Sequence, residues 1–171
     1  MTNKRDPDGT GCAATSGNLI PVLLNADDPR LGDTLALIQT AFSPMDGVVD
    51  PPSSVHRLTI ERLGQHCTQD EVWIIGAAPL ACMILTQKPD TLYLGKLAVA
   101  TQARGQGLAR RLVDHATNRA RSLGFRTLTL ETRIELTQNH ATFLALGFEE
   151  AGRTRHPGYA KDTSITFTKS V

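Results

Sequence analysis

The stretch from Val99 to Ala109 has the residue types and the spacing of an anion-binding turn. It reads Val-Ala-Thr-Gln-Ala-Arg-Gly-Gln-Gly-Leu-Ala and runs from an apolar segment into an amphipathic one. Gly105 and Gly107 permit backbone torsions and a close approach that a side chain would prevent, so successive N–H groups can converge on one anion. A helix that begins there adds a partial positive charge. The segment therefore predicts a phosphate-binding loop.

Three arginines close to this turn favour a ligand with more than one phosphate group. Arg104 lies within the turn, and Arg110 and Arg111 follow in the first turns of the predicted helix. Cationic side chains oppose the helix dipole at an N-terminus unless a bound anion reverses the local field. The competing interpretation is an ordinary strand-to-helix turn with a basic, exposed helix face, because arginine is also a good helix former.

The spacing differs from that of the two best-known phosphate loops. A Walker loop has Lys and then Ser or Thr after its last glycine, where this chain has Leu108 and Ala109. A dinucleotide-binding turn has a third glycine at the position of Arg110. A phosphate-loop nucleotide enzyme is therefore the less favoured hypothesis.

Two motifs of the chain resemble those of the GNAT family of N-acetyltransferases. Gln102-Ala103-Arg104-Gly105-Gln106-Gly107 is similar to the family's acetyl-CoA loop, whose signature is Gln or Arg, two residues, Gly, one residue, and Gly or Ala. Phe143-Leu144-Ala145-Leu146-Gly147-Phe148 is similar to its Tyr-x-x-x-Gly-Phe box, with Phe in place of Tyr. The resemblance extends over residues 71–169 and includes the order of the predicted elements.

The resemblance implies acetyl-CoA as co-substrate, a primary amine as acceptor, and no metal. It assigns the diphosphate to the glycine loop and the pantetheine arm to the main chain of the central strand. The implied cofactor-binding residues are Leu97, Ala98, Val99, Gln102, Arg104, Gly105, Gln106, Gly107, Leu108, Ala109 and Asn139. Relatives begin the later helix with an asparagine where this chain has Leu136, and Asn139 lies one turn later. Asn139 could therefore bind the pantetheine amides or cap the helix.

Acyl transfer from a thioester to an amine requires a neutral amine, a stabilised carbonyl oxygen and a proton for the departing thiolate. Many relatives supply that proton from the tyrosine that Phe143 replaces. Tyr159 in the last hairpin is the first candidate for a substitute acid and Tyr93 in the central strand is the second. The alternatives are an exposed turn residue and a core residue. Candidate bases or acceptor-binding groups are His56, His140, His156 and Glu131.

An acceptor pocket is expected between the loop that follows the first helix and the final hairpin. Its predicted polar ring consists of Asp46, Asp50, Ser53, Ser54, His156 and Tyr159. Prolines in the first loop reduce the entropy that is lost when the loop orders around a ligand. The alternative is an ordinary proline-rich surface loop. The expected partner is a small-molecule or peptide amine.

Hydrophobic periodicity indicates the elements that must position these residues. Helices are predicted at residues 31–42, 54–65, 108–123 and 137–146, the last with Thr137 as N-cap. Strands are predicted at 19–24, 72–75, 80–86, 91–99, 126–132, 148–155 and 163–169. This order predicts an α/β fold with a mixed, largely antiparallel central sheet flanked by helices. The resemblance implies the same architecture.

Bulk properties indicate one domain. The 171 residues carry a formal net charge of +1 and are 40% hydrophobic, which favours a single domain at residues 18–171 after a mobile N-terminal tail at residues 1–17. The near-neutral charge gives no reason to expect nucleic acid, and no apolar run is long enough to predict a membrane span. A homodimer could form if the apolar segment 165–168 were an edge strand.

The three cysteines favour a cytoplasmic protein. Cys12, Cys67 and Cys82 are odd in number and lack the spacing of a disulfide framework or a zinc site. Cys82 lies in an apolar run and is expected in the core.

We expect an N-acetyltransferase that works by direct attack on the thioester. The alternative is a catalytically silent acyl-CoA sensor or scaffold, because position 143 lacks the phenol.

Overall fold

The computed structural model of the protein describes residues 19–171. The predicted tail at residues 1–17 and Cys12 lie outside the described residues. The α-helices are α1 (Leu31–Phe42), α2 (Ile60–Gln69), α3 (Leu108–Ser122) and α4 (Thr137–Ala145). The strands are β1 (Val22–Leu23), β2 (Glu71–Ile75), β3 (Ala81–Lys88), β4 (Thr91–Val99), β5 (Thr127–Arg133), β6 (Glu149–Thr154) and β7 (Ser164–Ser170). Short 3₁₀ helices cover Ser43–Met45, Ser54–Arg57 and Thr101–Ala103.

The seven strands form one sheet in the order β1-β2-β3-β4-β5-β7-β6. Among the described strands, β4 and β5 are the one parallel pair of neighbours, and the other neighbours are antiparallel. The prediction of a mixed, largely antiparallel sheet flanked by helices is confirmed. The hydrophobic core extends from Leu24 to Phe167, and Cys82 is fully buried within it, as expected.

Helix α3 buries the face that its periodicity predicted. Leu108, Leu112, Val113, Ala116 and Ala120 are each at most 1% exposed, and the opposite face carries the exposed polar residues. Burial of each leucine side chain contributes on the order of 2 kcal/mol to stability. Helix α3 packs on β3, β4 and β5. This packing fixes the N-terminus of α3 at the end of β4.

The single helix predicted at residues 54–65 is wrong. The chain forms a 3₁₀ turn at Ser54–Arg57, becomes extended at Thr59, and begins α2 at Ile60. The Oγ1 atom of Thr59 accepts a hydrogen bond from the backbone N–H of Arg62 at 3.3 Å, which caps the new helix. The break was missed because a continuous helix would also bury the apolar residues of this segment.

The predicted N-cap of α4 is also wrong, whereas its C-terminus follows the prediction. Leu136 is the N-cap, without a side-chain cap, and Thr137 is already helical. At the other end, Gly147 has φ +87° and the N–H of Phe148 donates to the carbonyl of Phe143 at 3.0 Å. This left-handed termination folds the ring of Phe148 back to 6.1 Å from that of Phe143.

Strand β7 is an interior strand, so the expectation that residues 165–168 form an edge is wrong. β7 pairs with β5 on one side and with β6 on the other, and its main-chain groups are therefore engaged within the sheet. The edge strand on this side is β6, whose residues are all exposed. No helix within residues 19–171 is long and apolar enough to cross a membrane.

Candidate active site

The glycine loop presents a row of amide groups without partners in the protein. Gly105 and Gly107 both have φ +76°, a conformation that side chains disfavour, and a Cβ at either position would meet no heavy atom within 4 Å. Within the described part of the chain, the N–H groups of residues 105–110 donate to no acceptor. The first bond of the helix runs from the N–H of Arg111 to the carbonyl of Gly107 at 3.0 Å. The loop therefore offers open donors at a helix N-terminus.

The arginines at this loop leave its positive charge uncompensated. Arg104, Arg110 and Arg111 are exposed, and none forms an ion pair with another described residue. Arg110 donates from Nη2 to the carbonyl of Ala145 at 3.1 Å and so joins α3 to the end of α4. Cationic side chains and open amides together favour a polyanionic ligand.

Strands β4 and β5 stop pairing before β4 reaches this loop, and the gap between them is the candidate ligand cleft. The two strands pair at Leu92 with Leu128 and at Tyr93 with Thr129, and no later pair joins them. On its other side β4 stays paired with β3 up to Val99. The edge of residues 94–99 that faces β5 therefore has no strand partner within residues 19–171. An extended ligand could hydrogen-bond along this edge in the manner of an added strand.

Lys96 marks a bulge at the entrance to this edge. The ladder of β3 and β4 shifts register opposite Met83, and Lys96 has φ +51°, the one positive value for a non-glycine residue in the described chain. Its Nζ donates to Ser54 Oγ at 2.8 Å. Burial and the charge of Arg57 lower the pKa of Lys96. Sequence reasoning missed this residue, although a lysine within an apolar strand was a visible signal.

The two segments predicted to flank the acceptor are joined by a hydrogen bond. The phenol of Tyr159, in the β6–β7 hairpin, donates to Asp50 Oδ1, in the loop between α1 and α2, at 2.6 Å. This hydrogen bond is the main reason that the pKa of Tyr159 is raised. Ser54, in the same loop, lies against Lys96 of β4. The loop thus contacts both sides of the cleft.

The remaining members of the predicted polar ring have partners of their own. His56 Nε2 lies 2.7 Å from Asp46 Oδ1, and Ser53 caps the 3₁₀ turn by accepting from the N–H of Val55. His156 Nδ1 lies 2.5 Å from Thr163 Oγ1. A cavity of about 240 Å³ is lined by Gln39, Phe42, Ser43, Asp46, Ser53, Val55 and His56. This cavity is on the α1–α2 side of the cleft.

The other candidate acids and bases are placed less favourably than Tyr159. Burial raises the pKa of Tyr93 to about 12, and this residue lies where β4 and β5 still pair. His140 Nε2 is held 2.9 Å from the carbonyl of Arg133. Phe143 packs against two other phenylalanine rings and offers no proton. Glu131 is exposed on β5 beyond the last pair with β4.

Asn139 is exposed near the start of α4, and its side chain makes no hydrogen bond to the described residues. The alternative in which it caps the helix is wrong, because Leu136 holds that position. Within residues 19–171 no cluster of three or more His, Cys, Asp or Glu residues could hold a metal ion.

Arg133 is a second residue that sequence reasoning missed in this region. It is 9% exposed at the end of β5, and its Nε and Nη2 are buried without a hydrogen-bond acceptor. Glu135 Oε2 lies 3.9 Å from Nε, and Glu135 Oε1 accepts instead from the N–H of Asp50 at 3.4 Å. The sequence does not show this burial, because it depends on packing in the sheet, where Arg133 pairs with Ser164 of the interior strand β7.

Comparisons with known proteins agree with this geometry. A family model described as the acetyltransferase (GNAT) family matches residues 37–148. A GNAT family acetyltransferase from Elizabethkingia anophelis with acetyl-CoA bound has 18% identity and a TM-score of 0.63, over 90% of this chain and 99% of that one. The ribosomal-protein-S18-alanine N-acetyltransferase from Escherichia coli has 18% identity and a TM-score of 0.63, over 88% and 94% of the two chains.

The NatC complex bound to Gag peptide and CoA includes a chain with 19% identity and a TM-score of 0.61, over 89% of this chain and 98% of that one. At these identities the similar structures show the fold. The fold is therefore the one that the glycine loop and the Gly-Phe box implied.

Proposed function

Because this chain belongs to the GNAT acetyltransferase family, we propose that it transfers the acetyl group of acetyl-CoA to a primary amine by direct attack on the thioester. The observation that carries the proposal is the continuity between the open amides of residues 105–110 and the unpaired edge of β4. Together they fit a ligand that is anionic at one end and extended at the other. The acceptor is a small molecule or a peptide that carries the amine.

Each part of this surface has a role in binding acetyl-CoA. The amides of Gly105, Gln106, Gly107, Leu108 and Ala109 bind the diphosphate, because they converge at the start of α3 where the helix dipole is positive. Gln102 and Arg104 border the same loop, and the charge of Arg104 adds to the attraction. The main chain of Leu97, Ala98 and Val99 pairs with the amide groups of the pantetheine arm. Asn139 is placed to donate to that arm from α4.

The chemical steps require few side chains. The amine, once neutral, attacks the thioester carbon, and a β4 amide stabilises the negative oxygen of the tetrahedral intermediate. The carbon–sulfur bond then breaks, the thiolate takes a proton from the phenol of Tyr159, and the proton that the amine nitrogen loses as the amide forms returns to that phenol. Binding of the acceptor's ammonium group by Asp50 frees this phenol from its present partner. The phenol is protonated at neutral pH both before and after this release, because its pKa is near 10 when free and is raised while it is bonded to Asp50.

Two measurements test the proposal. Calorimetric titration with CoA is expected to show binding, and acetyl-CoA is expected to release thiol when a primary amine of the right shape is added. Absence of CoA binding would contradict the proposal. Protection against heating by ATP but not by CoA would favour a nucleotide enzyme instead, because a ligand of the native state raises its apparent stability.

A second candidate is a silent acyl-CoA sensor, which the packing of Phe143 into the core supports. Binding of CoA without turnover across a broad amine panel would favour this candidate. We also infer a cytoplasmic setting, because Cys67 and Cys82 are free thiols.

A further inference from the structure

The guanidinium of Arg133 carries an unused pair of donors beside the proposed acceptor site. Its Nε and Nη2 are buried and have no hydrogen-bond acceptor. A buried polar group without a partner costs roughly 1–3 kcal/mol, and a charged one costs more. Native proteins therefore rarely leave a buried polar group without a hydrogen-bond partner. The side chain as a whole keeps 11% of its surface exposed, while Nε and Nη2 are themselves covered, so a ligand reaches them only after a small rearrangement of the side chain.

Two other arginines of this chain bind carboxylates through the same two atoms, Nε and Nη2. Arg30 donates from Nε and Nη2 to the two carboxylate oxygens of Asp28, at 2.9 and 2.7 Å. Arg119 donates from the same two atoms to Glu71, at 3.0 and 2.6 Å. These two N–H groups are parallel and match a carboxylate in a bidentate manner. In Arg133 no carboxylate is hydrogen-bonded to Nε or Nη2.

Two further cations near this site also have no carboxylate partner. Lys96 and Arg57 form no ion pair with any residue of the described chain. The charge of Arg57 helps to lower the pKa of Lys96, so the two cations lie close enough to repel. The carboxylates of Asp46 and Asp50, in the same loop, are already hydrogen-bonded within the protein. An anionic group on a ligand would therefore not have to displace a protein carboxylate from either cation.

We propose that the acceptor carries a carboxylate close to its reactive amine, and that Arg133 binds this carboxylate through its Nε and Nη2 atoms. The inference rests on the proposed acetyl transfer and narrows its acceptor to amino acids and other amines with an acid group. Arg133 is then a specificity-determining residue. Lys96 and Arg57 raise the positive potential on the opposite side of the cleft, and Asp50 receives the ammonium group of the same molecule.

The test uses matched acceptors that differ only in the acid group. Thiol release from acetyl-CoA is measured with L-amino acids, short ω-amino acids and their carboxamides, and with dipeptide amides that begin with Asp or with Asn. The acid member of the best pair is expected to have a kcat/KM at least about tenfold higher than its amide, because a site built to hydrogen-bond a group discriminates against its loss. Equal or better use of the amides would overturn the inference.

Variants then assign the discrimination to one residue. Arg133→Met keeps most of the side-chain volume, and it is expected to lower kcat/KM for the acid about 100-fold and leave the amide unchanged. Arg133→Lys keeps the charge but loses the two parallel N–H donors of the guanidinium. Its kcat/KM for the acid is expected to be about tenfold lower than that of the wild type. Arg121→Met removes an exposed cation from the far end of α3 and should leave both values unchanged. Loss of acid preference in that control as well would indicate a general charge effect and contradict the assignment.

Two further outcomes keep the inference separate from the proposed function. Acetylation of amides alone would overturn the carboxylate site and leave acetyl transfer standing, whereas CoA binding without acetylation of any acceptor would overturn both.

Glu135→Gln tests whether the natural partner of Arg133 is Glu135 or the carboxylate of the acceptor. If Glu135 is the natural partner of Arg133, this variant is destabilised and Arg133→Met keeps the acid preference. If Arg133→Met does not fold, the comparison of acids with amides in the wild-type protein still decides.

Discussion

The phenol of Tyr159 donates a 2.6 Å hydrogen bond to the carboxylate of Asp50, across 109 positions of the chain. This bond joins the α1–α2 loop to the β6–β7 hairpin. It places a proton donor and an acidic group side by side at the proposed acceptor site. An ammonium group that binds Asp50 competes directly with the phenol, so acceptor binding and release of the acid are linked.

Tyr159→Phe removes the proposed acid and keeps the ring. Turnover is expected to fall about 100-fold, at the lower end of what general acid catalysis contributes, because the thiolate then leaves without a proton donor. The affinity for CoA should not change, since the cofactor loop lies elsewhere. Steady-state rates and calorimetry on the same preparation measure both quantities. An unchanged turnover number would exclude Tyr159 as the acid.

Asp50→Asn is expected to shift the alkaline limb of the kcat/KM profile to lower pH, because kcat/KM reports the free protein, in which the phenol is still hydrogen-bonded to Asp50. The hydrogen bond to Asp50 is the main cause that raises the pKa of Tyr159 above its usual value near 10. The phenol acts as an acid only while protonated, so activity is lost as pH rises through this pKa. Without the carboxylate the loss begins earlier. Asp162→Asn, in the same hairpin, is expected to leave the alkaline limb of the profile unchanged. An equal shift in both variants would contradict the assignment of the effect to the hydrogen bond between Asp50 and Tyr159.

The elements that could be predicted from sequence are those whose signals are local. Helix α3 has a continuous apolar face, a glycine turn before it and Gly124, with φ +83°, after it, and its bounds agree with the prediction within one residue. The segment 54–65 was harder, because two short helices and one long helix bury the same apolar positions. The cap at Thr59 favours the break, because its side chain bonds the backbone N–H of Arg62 and so competes with helix continuation.

Features that depend on distant residues could not be predicted in this way. The interior position of β7 follows from the strand order, which no local pattern encodes. Lys96 becomes notable through a contact with Ser54, 42 positions away, and through a bulge in its strand. Arg133 becomes notable through burial and the absence of a bonded acceptor, which only packing reveals. The sequence thus predicted the glycine turn before α3, while the arrangement of the proposed acceptor side depended on tertiary contacts.

His115 is expected to make the stability of the protein decrease at acidic pH. Burial is the largest cause that lowers its pKa, and its Nε2 is buried without a partner beside the ring of Trp73. The folded state therefore holds this histidine neutral, while the unfolded chain takes up a proton near pH 6.5. The contribution is present above pH 6.5 and is lost as pH falls through the lower, folded-state pKa.

Urea unfolding of the wild type and of His115→Leu measures this effect. The difference between their free energies of unfolding should move in favour of the variant as pH falls from 7 to 5. Asn118→Leu, at an exposed position of the same helix, introduces a leucine without removing a titratable group, so its difference from the wild type should not depend on pH. A difference for His115→Leu that does not depend on pH would contradict the assignment.

Gly107 and Gly124 lie at the two ends of α3 and provide a test of the cofactor loop. Both have positive φ, at +76° and +83°, and a Cβ on either would meet no heavy atom within 4 Å. Valine at either position therefore carries the same kind of conformational strain, on the order of 1–2 kcal/mol, without a clash inside the protein. The two positions differ in what lies outside the protein, because only the Gly107 end borders the proposed diphosphate site.

Gly107→Val is expected to weaken CoA binding at least about tenfold, since its side chain would occupy the space through which the phosphate approaches the amides. Gly124→Val is expected to lower the free energy of unfolding by a similar amount and to leave CoA affinity unchanged. Calorimetric titration with CoA and urea unfolding of both variants provide the measurements. Equal CoA affinity in the two variants would mean that the N-terminal end of α3 does not bind the diphosphate.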